Sequence, residues 1–359
     1  MILQHLSLRD FRSYRQGEFD FLPDSNIIFG DNGKGKTNLL EAILLLTGSR
    51  SWRAARKSEL VRWDAETAYL AAKVHSGGRE KELRMEIPSA GRTNASVNGV
   101  KIKRQYDLAE HLRCVLFSPE DLHIVKGAAS GRRAFVDDAL CQLRPRYGEI
   151  LSRYQKLLDS KSKLLKTEEN RESALAMLPE YDLQLARYGA ALISYRARFL
   201  ESLGKEASLM HSEISGGKEQ LAVTYQTVST VKDPFAPEEQ LFSWLMEHLE
   251  SHRKAEEATM QCLSGVHKDD MPMTICGRDA KAFASQGQTR SAALSLKFGL
   301  RELLRRDSGE YPILLLDDVL SELDAARQAF VAQHAMGGQN IITCCEGQNA
   351  FGSAHVIEL

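Results

Sequence analysis

The spacing of apolar positions changes character along the chain. Phe19, Phe21 and Leu22 lead into Asn26–Phe29, a short apolar run that predicts a buried strand. From Lys36 the pattern turns helical, with Leu39, Leu40, Ile43 and Leu44 expected on one face and Gly48 as a stop. Ala68–His75 and Glu82–Ile87 predict strands, and Val97-Asn98-Gly99-Val100 a tight hairpin turn. After Arg133 the period becomes helical again. Tyr147, Ile150, Leu151, Tyr154, Leu157 and Leu158 form one set, and Leu185, Tyr188, Leu192, Tyr195 and Phe199 a heptad-like second, with Pro179 expected between the two helices. A long amphipathic helix over 289–306 and the apolar strand Ile313–Leu316 follow. The order predicts an α/β protein: a head in two sequence halves, 1–125 and 265–359, with a mainly helical antiparallel arm, 126–264, inserted between them.

Composition leaves this picture intact and narrows its setting. The chain has 359 residues, enough for roughly two domains, with 43% hydrophobic and 26% charged residues and a net charge of −1. No general basic field attracts nucleic acid, so contacts with it must come from local clusters. No apolar run approaches the roughly 20 residues that span a bilayer. The first residues, with Arg9, Asp10 and Arg12, lack the apolar stretch of a secretory signal. Six scattered cysteines without a CxxC pair suit reduced thiols better than a disulfide framework or a zinc site. A cytoplasmic protein with no membrane partner is expected.

The junction between the first buried strand and its helix carries the chemistry. Gly30-Asp31-Asn32-Gly33-Lys34-Gly35-Lys36-Thr37 fits G-x-x-x-x-G-K-[ST] in the strand–loop–helix setting that a phosphate-binding loop requires. Glycines let backbone N–H groups turn inward, and the helix start adds partial positive charge. Lys36 is expected to reach the β- and γ-phosphates of ATP, and the Thr37 hydroxyl to ligate Mg²⁺. The acidic partner is Asp317-Asp318 after Ile313–Leu316. Asp317 is expected to hold Mg²⁺ through its water shell, and Asp318 to orient or deprotonate the attacking water. Ser285-Gln286-Gly287-Gln288 before the long helix reads as an anion site or as a simple N-cap, and Asp324 follows within Ser321-Glu322-Leu323-Asp324.

In this order these pieces resemble the ATP-binding-cassette ATPases, in the branch that serves chromosome maintenance and DNA repair. "FRSY", "GDNGKGKTNLLEAI", "FSPEDLHIVKGAASGRRAFVDD", "GVHKDD", "FASQGQTRSAALSLKFG" and "LLLDDVLSELD" are similar, nearly end to end, to the RecF family of bacterial recombination-repair ATPases. The resemblance implies an ATP-binding-cassette head and an ATP-dependent homodimer in which Ser285, Gly287 and Gln288 cap ATP held by the partner's loop. It implies an ATP-driven clamp on DNA at gaps or junctions, released by hydrolysis, in gap repair, replication restart and the SOS damage response, with RecR and RecO type partners. Asp318 stands where transporters carry glutamate, so hydrolysis is expected to be slow. Where transporters place a histidine switch the chain has Thr343-Cys344-Cys345. In place of their glutamine loop it has Ser118-Pro119-Glu120-Asp121, which reads better as a helix cap with Pro119 at its first position.

For DNA, the cluster Arg50, Trp52, Arg53, Arg56, Lys57 and Arg62 follows the P-loop helix with Glu59 its one acid. Arg53, Arg56 and Lys57 are the expected contacts, neutralising phosphates without reading sequence. A second basic run, 144–166, follows Arg132-Arg133, and any one of its residues reads better as part of a solvated face. Two rivals remain: the ATPase subunit of a membrane transporter, and a P-loop kinase of small metabolites, which would leave Ser285–Gln288 and Asp324 without a task. The motif His267, Asp269 and Asp270 resembles the family's but has no assigned chemistry.

Overall fold

The computed structural model describes residues 1–167, 169, 171–344 and 354–359. Fourteen strands occur among them: β1 Ile2–Phe11, β2 Tyr14–Asp20, β3 Ser25–Phe29, β4 Thr67–Ser76, β5 Arg79–Pro88, β6 Asn94–Val97, β7 Val100–Lys101, β8 Cys114–Phe117, β9 Leu221–Val223, β10 Met273–Ile275, β11 Arg278–Asp279, β12 Ile313–Asp317, β13 Asn340–Cys344 and β14 His355–Glu358. The chain divides into two compact units. The first comprises 1–122, 206–220 and 285–359, the second 123–205 and 221–284. The division differs from the boundaries read in the sequence. Residues 265–284 belong to the second unit, where β10 pairs with β9 and β11, and 206–220 belong to the first. The sequence gives no sign of this, because the 37-residue helix Leu178–Ile214 runs without a break through Lys205 and Glu206.

The first unit holds two sheets. One is antiparallel, ordered β2-β1-β4-β5-β6-β7; the other is wholly parallel, ordered β14-β3-β13-β12-β8. The P-loop helix, Lys36–Leu45, is packed with both. Leu39, Leu40, Ala42, Ile43 and Leu46 share one apolar core with Leu6, Leu8, Leu70 and Leu83 of the antiparallel sheet and with Ile28, Leu315 and Ile341 of the parallel one. The expected single apolar face is therefore too narrow: Glu41 and Lys36 are buried as well. Gly48 ends this segment with φ +85°, and a Cβ there would lie 2.3 Å from the Gln105 carbonyl oxygen. The Asn98-Gly99 turn between β6 and β7 has both residues at positive φ, as a two-residue hairpin requires.

The main helices of the second unit are Ala129–Leu143, Pro145–Leu165, Leu178–Ile214 as far as Lys205, and Glu238–Thr259. Arg153 meets Tyr188 while Lys161 meets Asp182, so Pro145–Leu165 and Leu178–Ile214 run antiparallel. Pro179 lies inside the first turn of Leu178–Ile214 rather than between the two. That position tolerates proline because its missing N–H would have no intrahelical partner. Lys161, 1% exposed, is held between Asp182 (2.6 Å) and Glu256 (2.5 Å), both fully buried. The basic run 144–166 is thus no uniform solvated face.

The buried pairs also explain "GVHKDD". Arg196 bridges Asp137 and Asp269 (2.9 and 2.8 Å), and the Tyr225 hydroxyl donates to Asp269 (2.5 Å). Asp270 receives two bonds from Arg132 (2.6 and 2.9 Å), and Arg133 donates to the Asp269 carbonyl. His267 lies 3.2 Å from the Tyr154 hydroxyl, and burial depresses its pKa to about 4. These residues order the second unit's interior, where Arg196 and Arg132 offset the carboxylates of Asp137, Asp269 and Asp270.

Candidate nucleotide site

The parallel sheet places the site. Its strands all run in one direction, so their carboxyl ends share one edge, where ligands of open α/β sheets bind. β3 ends at Phe29 and opens into Gly30–Gly35; β12, separated from β3 only by β13, ends at Asp317. Asp31, Asn32, Gly33 and Lys34 are exposed, whereas Gly35 and Lys36 are buried. Gly33 and Gly35 have φ of +86° and +105°, conformations that favour glycine. At Gly35 space is short too: a Cβ would lie 3.0 Å from the Tyr14 hydroxyl and 3.1 Å from Ser13 Oγ.

The Lys36 side chain folds back over the loop, with Nζ donating to the carbonyls of Gly30 (2.6 Å) and Asp31 (3.2 Å). Thr37 Oγ1 donates to Asp317 Oδ1 at 2.9 Å, and Thr343 Oγ1, at the end of β13, donates to the same oxygen at 3.0 Å. Thr343 Oγ1 also accepts from the Asp318 N–H at 2.9 Å. Asp317 is 5% exposed, and burial raises its pKa against the lowering effect of the two threonine hydroxyls. Asp318 follows with φ +52°, a left-handed conformation uncommon outside glycine. Cys345, the last of the three residues where transporters place the histidine switch, lies outside the described residues.

Sequence reasoning missed the supporting shell. The turn between β1 and β2 carries "FRSY", quoted above only as a likeness. Tyr14 donates to the Gly35 carbonyl (3.1 Å), and burial pushes its phenol up to about 12. Ser13 Oγ accepts from Asn38 (3.0 Å), the residue after Thr37. Arg12 forks onto Glu41 of the P-loop helix at 2.8 and 2.6 Å, and Ser51 donates to the same fully buried carboxylate. The signal available was charge at an apolar position: Glu41 interrupts the helix's buried run and needs a cation.

Of the expected DNA contacts, Arg53, Arg56 and Lys57 are exposed. Arg53 differs from the others. Its guanidinium donates to Asn38 Oδ1 (3.1 Å), the residue after Thr37, so it stands beside the candidate nucleotide site. Arg62 pairs with Asp10 at 2.7 Å.

The segment Ser285–Gln288 begins the helix Gln286–Ser308 and forms a capping box. Ser285 Oγ accepts from the Gln288 N–H (3.2 Å), and Gln288 Oε1 from the Ser285 N–H (2.9 Å). Gln288 Nε2 also donates to Glu219 (2.8 Å). Ser285 and Gln286 are exposed. Further along, Lys297 donates to the Leu116 carbonyl (2.7 Å) in β8 and pairs with Asp121 (2.7 Å). Ser118 and Asp121 form the expected cap, with the Ser118 N–H donating to Asp121 Oδ2 at 2.8 Å and Pro119 in the first position. Asp324 caps the helix Ala325–Ala335 by accepting from the Arg327 N–H. The Arg327 side chain binds Asp324 in turn and reaches the Gly287 carbonyl (2.9 Å) and Ser291 Oγ (3.1 Å).

The family model of the RecF/RecN/SMC N-terminal domain matches residues 2–351. The chain is 37% identical over 344 residues to the DNA replication and repair protein RecF of Clostridium perfringens, covering 96% of this chain and 93% of that protein. It is 36% identical over 344 residues to the protein of the same name from Lachnoclostridium phytofermentans, covering 96% and 92%. A solved structure of the recombination mediator protein RecF with ATPrS in the RecFOR pathway superposes with a TM-score of 0.91 at 34% identity, covering 100% of this chain and 96% of that one. Its counterpart with ATP gives 0.89 at 34% identity, covering 97% and 92%. The Smc head domain of Pyrococcus furiosus, 17% identical with a TM-score of 0.54 over 99% of this chain and 92% of that one, shares the fold. The comparisons give the transporter reading no support, and no helix among the described residues is long and apolar enough to cross a membrane. On sequence over nearly its whole length and on fold, the chain belongs to the RecF family of DNA replication and repair proteins.

Proposed function

We propose that the chain is an ATP-driven DNA clamp of recombinational repair, a slow ATPase whose nucleotide site is completed by a second copy. The observation that carries this reading is the separation of two finished half-sites. Thr37 and Asp317 are already joined at 2.9 Å, while Ser285–Gln288 forms an exposed, capped helix start elsewhere. Its helix packs on β8, three strands from β3, or about 14 Å at sheet spacing. Ser285 precedes Lys297, the residue bonded to β8, by about 18 Å of helical rise. A partner's loop is the better match for that exposed start.

In this reading phosphate oxygens replace the Gly30 and Asp31 carbonyls as partners of the Lys36 ammonium. Thr37 Oγ1 and Asp317 Oδ1, joined at 2.9 Å, are hard oxygen donors that would hold Mg²⁺, Asp317 through its water shell, and the ion would supply neutralising charge at the phosphates. Thr343 fixes the orientation of Asp317 and the backbone of Asp318. Asp318, one methylene shorter than glutamate, positions the attacking water and takes its proton. The dimer closes on gapped, branched or duplex DNA when ATP is bound and opens after hydrolysis. The family's place in replication and repair, and the RecFOR pathway of its solved relatives, support a cytoplasmic role with RecR and RecO type partners at gaps and in the SOS response.

The test is complementation. Lys36→Ala should abolish ATP binding in equilibrium dialysis; Ser285→Arg should keep it and block ATP-dependent dimerisation. Mixed, the two inactive chains form one whole site, and partial ATPase activity should return. Full activity of Ser285→Arg alone would overturn the composite site.

A further inference from the structure

The antiparallel sheet ends in a cationic cleft of about 580 Å³ that the motifs do not announce. Its walls come from three segments: Lys57 after the P-loop helix, Arg92 before β6, and Lys101 and Lys103 at and after the edge strand β7. All four side chains are exposed, and no carboxylate lines the cleft. None of the four forms an ion pair among the described residues, whereas the neighbouring Arg84, Arg104 and Arg62 pair with Glu82, Asp107 and Asp10. Arg92 is held in place by a bond of 2.6 Å to the Lys103 carbonyl. Ile102 packs on the core between Lys101 and Lys103, so the two lysines project away from it together.

Lysine on an edge strand also discourages strand-to-strand aggregation. That role would not bring Lys57 and Arg92 from other elements to the same cleft. Four cations held together without counter-charge raise one another's energy, a cost that a polyanion would offset. The remaining lining is polar or aliphatic, including Asn94 and Gln105, and holds no aromatic ring to grip a base. The cleft is therefore unsuited to a free nucleotide and suited to a phosphodiester backbone met without regard to sequence.

We infer that this cleft is a docking site for the DNA backbone, in which Arg92, Lys101 and Lys103 continue the path begun by Arg56 and Lys57. The inference rests on the proposed DNA-binding function and adds where the strand runs.

The experiment measures duplex DNA binding by the full chain with ATP across a salt series, for wild type and for Lys101→Ala/Lys103→Ala. If each lysine neutralises one phosphate, the slope of log affinity against log salt should become shallower by about 1.8, at 0.9 per contact. ATP affinity by dialysis should be unchanged. Lys103→Gln, which keeps the stem, should show half the effect and guards against a folding defect in the double variant. An unchanged slope and affinity, with wild type binding DNA normally, overturns the cleft while leaving the DNA-binding reading in place. Loss of tripolyphosphate binding alone, or of a RecR or RecO type partner alone, with DNA binding intact, also overturns it. Failure of wild type to bind DNA overturns the proposed function, and this inference with it.

Discussion

Arg327 donates a hydrogen bond of 2.9 Å to the carbonyl oxygen of Gly287, tying the first turn of the helix Ala325–Ala335 to the start of the helix Gln286–Ser308. The contact is close enough that a Cβ on Gly287 would lie 3.1 Å from Arg327 Nη2. The same guanidinium holds Asp324, whose carboxyl is kept below its usual range chiefly by the Arg327 N–H. Arg327→Ala should leave ATP binding by the isolated chain intact and reduce ATP-dependent dimerisation by about tenfold, on the order of one charge-assisted hydrogen bond. Sedimentation with and without ATP decides this. Equal dimerisation by variant and wild type would show that the two helix starts need no tie.

Asp318→Asn tests the base. ATP binding should survive, because Asp317, Thr37 and the loop are untouched. Turnover should fall by about 10²- to 10⁴-fold, the usual range for removing a general base. The ATP-bound dimer should then accumulate and be visible by molecular mass. Unaltered steady-state hydrolysis would assign the proton to another group.

Arg53 and Arg56, three residues apart, should separate cleanly. Arg53 contacts Asn38 beside the P-loop, so Arg53→Ala should weaken ATP affinity. Arg56→Ala should leave nucleotide affinity as it is and lower only the salt slope of DNA binding, by about 0.9. Measuring both affinities on both variants gives four numbers. Indistinguishable variants would place both arginines on the same surface.

His267 sets an acid limit on the second unit. Its folded pKa of about 4 lies below the ordinary 6.5 because burial penalises the imidazolium, with Lys268, Arg133 and Lys161 adding repulsion. The unfolded chain therefore binds more protons between these values, and stability falls as pH drops from 6.5 toward 4. The slope is at most about 1.4 kcal/mol per pH unit for one proton. His267→Gln should flatten the melting-temperature profile in that window and leave it unchanged above pH 7. A variant profile parallel to wild type would assign the acid lability to other groups, such as His248 or His211.

What could be read from the sequence follows the range of each interaction. The P-loop, Asp317 and the Asn98-Gly99 turn are local: a few adjacent residues dictate their backbone. Thr343 was noticed only as something other than histidine, because its bonds to Asp317 and Asp318 exist only once β13 lies beside β12. Arg12 and Glu41 are 29 positions apart, and nothing in either neighbourhood names the other. Arg92, Lys101 and Lys103 escaped notice for a related reason. Arg92 stands alone among neutral residues and Lys101, Lys103 and Arg104 make only a short run, so only the fold of β6 and β7 brings them near Lys57. Lys161 erred in the opposite direction, looking like surface charge while its carboxylates came from two other helices.

The strand that opens into the P-loop has no early neighbour. β3 pairs on one side with β13, where Ser25 meets Asn340, and on the other with β14, where Asn26 meets His355. On a ribosome adding 5–20 residues per second, Ser25 would wait roughly 15–60 s for Asn340 to be made. Until then the loop has no sheet to hold its glycines open, and β12, which carries Asp317, has not been joined to β3 through β13. Contacts this distant are slow to form, because the closure entropy must be met before any pairing rewards it. Nucleotide binding thus becomes a late event in the life of each molecule. On the proposed function, nascent or prematurely terminated chains that stop short of Asn340 would be unable to hold ATP, to pair with a finished copy, or to occupy DNA in its place.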